Sequence, residues 1–390
     1  MRLVIFGGSF NPPHKGHVSA ARAVSKELKP DKLIVIPTFL PPHKALESGA
    51  PTPEQRLELC RLAFSGLPRL EVSDTEIARG GKSYTADTLR ELRERYPDVE
   101  LWLTVGTDML RTLDSWYDAA YILRETKIAA VARDRGQMNL LRQKAGELRR
   151  THRASVEIIE AKPFPAASTD IRRNLRNRGG LRLLGERVYA EIVRKRLYGV
   201  RVNLQWLRRR GYAMVRPNRV MHVRGCEEEA VRLAVQWGAD PDKAAEAAIL
   251  HDCTKKDPPE EQLRLCEKYG MIPDEVEINA GGRLLHAKTG AGVAAAEFGM
   301  DEDVVSAIRW HTTGKPDMTL LEKIIYMADY IEPTRNFPGV EKLRKLAYQD
   351  LDRALLLGLE MSRDEIVARG ETPHVHTLTA IRWLQESLRA

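Results

Sequence analysis

Apolar residues in the first half of the chain come in short unbroken runs: Leu3 to Phe6, Lys32 to Ile36, Glu100 to Val105, Lys127 to Ala132 and Val156 to Ile159. Runs of this length, bounded by polar, glycine or proline residues, predict buried strands. Between them lie stretches with helical spacing, such as His17 to Leu28 and Glu54 to Ser65. Thr52-Pro53 offers the second of these a cap and a first-turn proline. Strands alternating with helices predict an α/β domain, a doubly wound parallel sheet with helices on both faces. In such a sheet ligands sit outside the carboxyl ends of the strands.

Near residue 200 the pattern changes. Period-2 alternation all but disappears, and 3.6-period segments run from Cys226 to Gln236, Lys243 to Leu250, Glu260 to Tyr269, Asp301 to Trp310, Leu320 to Ile331 and Leu343 to Met361. This predicts an all-α second domain, with residues 1–200 and 201–390 as the two units.

A chain of 390 residues has room for two or three domains, and 43% hydrophobic with 30% charged residues suits packed soluble cores. No run approaches the roughly 18 apolar residues of a membrane helix, so no membrane partner is expected. Four scattered cysteines with no Cys-x-x-Cys pair point away from a disulfide framework and toward the cytoplasm. The net charge of +8 suits phosphate-rich partners, which nucleotides satisfy as well as nucleic acid does. With 6% aromatic residues and no stripe of interleaved bases and rings, nucleic acid is not the expected partner. The arginine-dense stretch from Arg172 to Arg210 reads first as a solvated helix face and second as a phosphate or nucleic-acid patch.

GGSFNPPHKGH, residues 7 to 17, directly follows the first strand. Gly7 and Gly8 are expected to turn the backbone tightly and let it approach a phosphate. Pro12 and Pro13 stiffen the loop, His17 begins the helix, and Gly16 leaves room for a substrate. Imidazoles three residues apart face the same way, so His14 and His17 can meet one phosphate at a helix N-terminus. The alternative is a pair of histidines that only cap a turn.

His14-Lys15-Gly16-His17 resembles the (H/T)xGH signature of the nucleotidyltransferase superfamily, which implies a Rossmann-like fold and in-line attack on the α-phosphate of ATP. Further stretches narrow the resemblance: Pro41-Pro42-His43-Lys44, Ser83-Tyr84-Thr85-Ala86-Asp87-Thr88, Gly106-Thr107-Asp108-Met109, Trp116-Tyr117 and Ala167-Ser168-Thr169-Asp170-Ile171-Arg172. Together, over about residues 1–198, they resemble bacterial nicotinate-nucleotide adenylyltransferase. The resemblance implies ATP, with Mg2+, and nicotinate mononucleotide as ligands. It places His14 and His17 on the ATP phosphates with Lys44 in support, and Asp108 on the ribose. Ser168, Thr169 and Arg172 fall to the β- and γ-phosphates, and Gly7, Gly8, Ser9, Phe10 and Gly106 line the ATP site. Tyr84, Thr85 and Trp116 take the nicotinate end, with Arg133 near the acceptor nucleotide. Asn11 and Ala167 depart from the Asp and Ser that many relatives carry there.

The second half holds His222, His251-Asp252 and Asp329, a mixed nitrogen and oxygen donor set of the kind that suits iron, manganese, zinc or magnesium. The order resembles HD-domain metal-dependent phosphohydrolases, and so implies a helical bundle in which His286 and His311 add a second metal with Asp252 as bridge. Lys255 would meet a substrate phosphate. HDCTK at 251–255, HAKTGAG at 286–292, WHTTGKPDMTLLEKIIYMADYIEPTR at 310–335 and FPGVEKLRKLA at 337–347 resemble one bacterial HD family, over about residues 203–387. That family hydrolyses diadenosine tetraphosphate symmetrically, and the resemblance favours one or two divalent ions, iron first and manganese second. Cys253 stands where a larger residue is more usual and reads as a small buried side chain. His374 and His376 read as loop residues outside the pattern. The expectation is a bifunctional cytoplasmic enzyme, with a homo-oligomer left open. A nucleotide-sensing role for the helical half, or another phosphate ester as its substrate, stands as the alternative.

Overall fold

The computed structural model describes residues 1–42, 46–132, 138–162, 164, 167–280 and 282–389. Lys44 and Arg133 lie outside the described residues. The chain divides into two compact units, Met1–Arg201 and Val202–Ala390.

The first unit is built on a six-stranded parallel sheet. Its strands are β1 (Arg2–Gly8), β2 (Lys32–Pro37), β3 (Leu70–Val72), β4 (Glu100–Gly106), β5 (Lys127–Ala132) and β6 (Ser155–Glu160), in the order β3-β2-β1-β4-β5-β6. The chain winds outward from β1 in one direction and from β4 in the other, so β1 and β4 flank the switch point where such sheets bind ligands. Leu3 pairs with Lys32 on one side and with Leu101 on the other.

The unbroken apolar runs have a direct cause: the sheet is covered on both faces. Leu3 and Ile5 pack into one core cluster with Leu89 and Leu148, while Val4 and Phe6 pack into the other with Val24 and Phe64. Strand β3, which the pattern did not predict, has only three residues at the sheet edge, none of them fully buried. At the opposite end of the sheet from the switch-point loops, Glu100 ties three strands together. Its Oε1 accepts from Arg2 Nε at 2.8 Å and Trp102 Nε1 at 2.5 Å, and its Oε2 from Lys127 Nζ at 2.9 Å.

Two local expectations are corrected. Gly7 and Gly8 do not turn the chain, for both lie within β1, paired with Ile36 and Pro37. The departure comes afterwards, at Phe10 with φ +44°. What Gly7 provides is space: a Cβ there would meet nothing within 4 Å. The helix begins at Lys15 rather than at His17.

The second unit contains eleven α-helices among the described residues: Leu204–Met214, Val220–Trp237, Pro241–Leu250, Pro259–Lys268, Glu275–Ala280, Gly282–Phe298, Glu302–Trp310, Leu320–Ile331, Val340–Ala347, Leu351–Ala368 and Val375–Ser387. Val220–Trp237 packs on Pro241–Leu250 and on Leu320–Ile331, and Glu302–Trp310 packs on Gly282–Phe298 and on Leu320–Ile331. The segment expected as one helix from Leu343 to Met361 is two. Asp350 accepts from the Arg353 amide at 3.0 Å and so starts a new helix at Leu351. Gly282–Phe298 escaped the pattern because its inner face is largely Ala and Gly, whose apolar signal is faint. No helix among the described residues is long and apolar enough to cross a membrane.

Candidate nucleotide site and candidate metal centre

His14 and His17 stand at the start of Lys15–Leu28, and both cap it. His14 Nδ1 accepts from the Gly16 amide at 3.1 Å, and His17 Nδ1 accepts from the His14 amide at 3.2 Å. The cap brings the two rings together, tilted by 37° with centroids 3.8 Å apart. Capping and phosphate contact therefore do not exclude each other, because the cap uses only Nδ1 of each ring. The reason for Gly16 is corrected too. A Cβ there would come within 2.6 Å of Phe164 and 2.9 Å of the His14 ring, so the missing side chain makes room for protein, not substrate. Phe164 stacks on His14 with centroids 5.1 Å apart.

Ser168, Thr169 and Arg172 lie on the helix Ser168–Arg176, which is brought against the same loop. Ser168 Oγ donates to Pro12 O at 3.3 Å and Arg172 Nη1 to Asn11 O at 2.9 Å. The buried Arg172 guanidinium also meets Glu47 Oε1 at 2.5 Å. A carboxylate in that position shows an anion-accepting face. Ala167 supplies no side-chain cap to this helix, although Asp170 Oδ2 accepts from the Ala167 amide at 3.3 Å.

A cavity of about 650 Å³ opens at the switch point. Gly7, Gly8, Ser9, Tyr84, Thr85, Asp108 and Trp116 all line it. Asp108 is exposed, at the start of Thr107–Thr112 directly after Gly106. Tyr84 and Tyr117 meet as a tilted ring pair with centroids 4.7 Å apart, and Trp116 Nε1 donates to Thr112 Oγ1 at 3.2 Å. Sequence reasoning missed two charged groups here. Glu76 lines the cavity and is buried; its Oε1 accepts from Thr88 Oγ1 at 2.7 Å, and burial raises its carboxyl pKa. Arg56, wholly buried, donates to the carbonyls of Ser9 at 2.8 Å, Thr38 at 2.7 Å and Phe39 at 3.0 Å, and so holds the loops after β1 and β2 together. Neither belongs to a recognisable motif.

In the second unit all six expected metal ligands converge. His222 lies in the first turn of Val220–Trp237, His251 and His311 cap the C-termini of Pro241–Leu250 and Glu302–Trp310, His286 is on Gly282–Phe298 and Asp329 on Leu320–Ile331. Three of the imidazoles are oriented by carbonyls of their own helices. His251 Nδ1 donates to Ala248 O at 2.7 Å, His286 Nδ1 to Gly282 O at 2.9 Å and His311 Nδ1 to Ile308 O at 2.7 Å. His222 Nδ1 meets Glu332 Oε1 at 3.0 Å. A carbonyl can only accept, so the proton sits on Nδ1 and the Nε2 lone pair turns inward.

Those lone pairs meet in two pairs: His222 Nε2 and His251 Nε2 at 3.3 Å, His286 Nε2 and His311 Nε2 at 3.1 Å. Asp252 stands between the pairs. Its Oδ2 is 3.4 Å from His251 and 3.7 Å from His222, while its Oδ1 is 3.2 Å from His286 and 3.8 Å from His311. Asp329 Oδ1 completes the first pair, 3.1 Å from His222 Nε2. Two lone pairs facing one another repel unless a proton or a cation lies between them. Oδ1 of Asp252 is moreover buried without a well-formed hydrogen bond. This donor set fits divalent ions, with one carboxylate shared between two of them.

The electrostatics agree. Burial by itself would raise the carboxyls of Asp252 and Asp329, but the imidazoles with Lys255 and Arg335 hold both well below the usual carboxylate range. His251 is lowered by burial and raised more by Asp252 and Asp329, ending above its ordinary value. Burial holds His311 well below its own, with the neighbouring His286 and His251 adding to the effect. Three cations that sequence reasoning did not all find surround the carboxylates: Arg219 Nε is 2.6 Å from Asp252 Oδ2, Lys255 Nζ 3.1 Å from Asp252 Oδ1 and Arg335 Nη2 2.6 Å from Asp329 Oδ1. Each is part exposed. His374 lies outside the helices as expected, but it is buried as the N-cap of Val375–Ser387 with Nε2 2.8 Å from Asp274 Oδ2, whereas His376, also expected in a loop, is in the first turn of that helix.

Fold and sites define a nucleotidyltransferase of the cytidylyltransferase-like class, whose family model matches residues 5–174, joined to an HD domain, matched over residues 219–334. An HD domain implies divalent metal binding. More narrowly, the chain belongs to the nicotinate-nucleotide adenylyltransferase family through its first half and to the symmetrical bis(5'-nucleosyl)-tetraphosphatase family through its second. A probable nicotinate-nucleotide adenylyltransferase of Carboxydothermus hydrogenoformans is 34% identical over 198 residues, 50% of this chain and 98% of the relative. The symmetrical bis(5'-nucleosyl)-tetraphosphatase of Bacillus subtilis is 41% identical over 168 residues, 43% of this chain and 89% of the relative. A crystal structure of a predicted HD superfamily hydrolase involved in NAD metabolism from Clostridium acetobutylicum matches 47% of this chain and 97% of its own at 38% identity, with a TM-score of 0.46.

Proposed function

We propose that the chain is a bifunctional enzyme of adenine nucleotides. The first unit joins nicotinate mononucleotide to the AMP portion of ATP, giving deamido-NAD and pyrophosphate. The second hydrolyses diadenosine tetraphosphate symmetrically to two ADP. The observation that carries the reading is one carboxylate, Asp252, shared between two inward-turned imidazole pairs, in a chain whose other unit aligns His14, His17, Ser168 and Arg172 about one loop.

In the first unit a phosphate oxygen of nicotinate mononucleotide attacks the α-phosphorus of ATP as the bond to the bridging oxygen breaks and pyrophosphate departs. Alignment and charge neutralisation supply the rate, with no covalent enzyme intermediate. His14 and His17 hold the α-phosphate, while Arg172, Ser168 and Thr169 take the charge of the leaving pyrophosphate. Glu47, which occupies Arg172 in this structure, must give way to the triphosphate. Asp108 accepts from the ribose hydroxyls, and Tyr84, Thr85 and Trp116 receive the pyridine ring. Mg2+ bound with ATP neutralises phosphate charge.

In the second unit His222, His251 and Asp329 would hold one divalent ion and His286 and His311 a second, with Asp252 as a ligand available to both. The family resemblance favours iron first and manganese second, and the mixed nitrogen and oxygen donor set suits either. When bound, such ions supply Lewis acidity toward phosphate and activate water. Arg219, Lys255 and Arg335 pair with the polyphosphate, and water cleaves the bridge between the two inner phosphorus atoms.

The test is product analysis with the full chain loaded with iron or manganese. ADP as the sole product from diadenosine tetraphosphate is expected. ATP plus AMP would overturn the symmetric cleavage, and absence of turnover with metal bound would favour a sensing role. Deamido-NAD and pyrophosphate are expected from ATP and nicotinate mononucleotide; no product there would overturn the first assignment.

A further inference from the structure

One buried carboxyl on the wall of the switch-point cavity takes no part in the proposed adenylyl transfer. Glu76, on the short helix Thr75–Arg79, lines that cavity and is 6% exposed. It forms no ion pair among the described residues. Arg79 turns instead to Glu91, with Nη1 2.7 Å from Oε1, and its Nη2 donates to Thr88 Oγ1 at 3.0 Å. Burying a carboxyl with no cation beside it is costly, so core packing does not account for the choice of residue. Burial raises its pKa, and the Thr88 and Ser83 hydroxyls oppose the rise. A buried, perturbed carboxyl on the wall of a cleft is a candidate functional group.

The partners of Glu76 show where it acts. Thr88 Oγ1 donates to Oε1 at 2.7 Å, the one well-formed hydrogen bond of this side chain among the described residues, for Oε2 is buried without one. Thr88 stands in the first turn of the helix Thr85–Arg95, whose N-cap, Tyr84, makes no side-chain cap bond. The start of that helix is therefore held from outside it. Ser83, the residue before the cap, is tied to the chain after β2. Its Oγ accepts from the Phe39 amide at 2.9 Å, and its amide donates to Leu40 O at 2.9 Å. Between Ser83 and Thr88 lie Tyr84 and Thr85, which line the cavity beside Trp116.

We infer that Glu76 is a positioning residue for the pyridine nucleotide: through Thr88 it fixes the start of Thr85–Arg95, and with it the placement of Tyr84 and Thr85 at the nicotinate end. The inference rests on the reading of the first unit as an adenylyltransferase and adds a residue to its acceptor site. Loss of this support shifts the wall that receives the pyridine ring. It leaves the triphosphate contacts in place, because His14 and His17 stand on Lys15–Leu28, and Ser168 and Arg172 on Ser168–Arg176. Glu76 therefore governs the hold on one substrate and not on the other.

The test is steady-state kinetics of the full chain, with KM measured separately for nicotinate mononucleotide and for ATP. Glu76→Ala is expected to raise KM for nicotinate mononucleotide about tenfold, the scale of one lost hydrogen bond. KM for ATP and kcat should stay within about threefold. Glu76→Gln keeps an acceptor for Thr88 and should bring KM for nicotinate mononucleotide back to within about threefold of the wild type. A merely structural role would lower the active fraction, and so kcat, without moving KM for one substrate alone. Thr88→Val removes the donor at nearly constant volume and should reproduce the rise, which keeps the test open if Glu76→Ala does not fold. An unchanged KM for nicotinate mononucleotide in Glu76→Ala and Thr88→Val would overturn the inference. Equal rises in both KM values, or a Glu76→Gln as impaired as Glu76→Ala, would overturn it as well. A wild type that forms no deamido-NAD would overturn the reading of the first unit and the inference together.

Discussion

At the scale of single residues, the two sites depend on groups that orient other groups. Glu332 is wholly buried and bonds both His222 and Thr334, whose amide donates to Oε2 at 2.7 Å. It fixes the His222 tautomer and feeds negative charge to the imidazole. Glu332→Gln preserves the shape and removes the charge, so metal affinity is expected to fall about tenfold. Competition with a chelator, read by elemental analysis, measures this; unchanged affinity would remove Glu332 from the centre. Glu100 acts on stability instead. Hydrogen bonds from Trp102 and Lys127 lower its carboxyl from 4.5 to about 2. Because the folded value lies below the unfolded one, its stabilisation is present in full above the unfolded value and is lost as pH falls toward 2. Glu100→Gln is therefore expected to unfold more easily than the wild type at pH 6, with the two converging near pH 2. Denaturant curves across that range test it, and parallel curves would show that the three-strand clamp contributes nothing ionic. The group is part exposed, so the effect is modest.

At the scale of elements, helices sit where small residues let them. Gly211, on Leu204–Met214, faces Ile249: a Cβ would fall 2.7 Å from Ile249 Cγ2 and 3.0 Å from its carbonyl oxygen. Alanine gains about 1 kcal/mol of helix propensity over glycine, yet overpacking against a backbone atom costs typically 1–3 kcal/mol. Packing should win, so Gly211→Ala is expected to destabilise the second unit by about 1 kcal/mol, measured by urea unfolding. A gain in stability would mean that the two helices can separate freely. Helices with strong apolar periodicity, such as Leu320–Ile331, were legible in the sequence. Gly282–Phe298 was not, although it carries His286, because close packing through Ala and Gly leaves little hydrophobic contrast. The break between Val340–Ala347 and Leu351–Ala368 was missed for a different reason: Asp350 ends one helical period by capping another with no change in apolar spacing.

At the scale of the whole molecule, the candidate residues of each site belong to a single unit. His17→Ala is expected to abolish adenylyl transfer and leave diadenosine tetraphosphate hydrolysis within about twofold. Asp252→Ala should do the reverse and release the metal, because it removes the carboxylate on which both imidazole pairs converge. Assaying both activities on both variants decides the matter. A loss of both activities in either variant would show that the two units depend on each other.

The sequence alone determined the alternation of strand and helix in the first unit, the helical character of the second, the division near residue 200 and the candidate site residues that recur at readable spacings, from His14 and His17 to His251-Asp252. These are local or periodic properties, so burial and chemistry leave their trace in the string. The tertiary structure alone decided what those residues do to one another. It turned four imidazoles inward through their Nδ1 partners and set Asp252 between the two pairs. It also supplied Arg56, Glu76, Arg219 and Glu332, which reach partners between 12 and 110 residues away, and Arg335, which folds back on Asp329 six residues before it. A contact across tens of residues has no period, and only the packing of one element on another brings it into being.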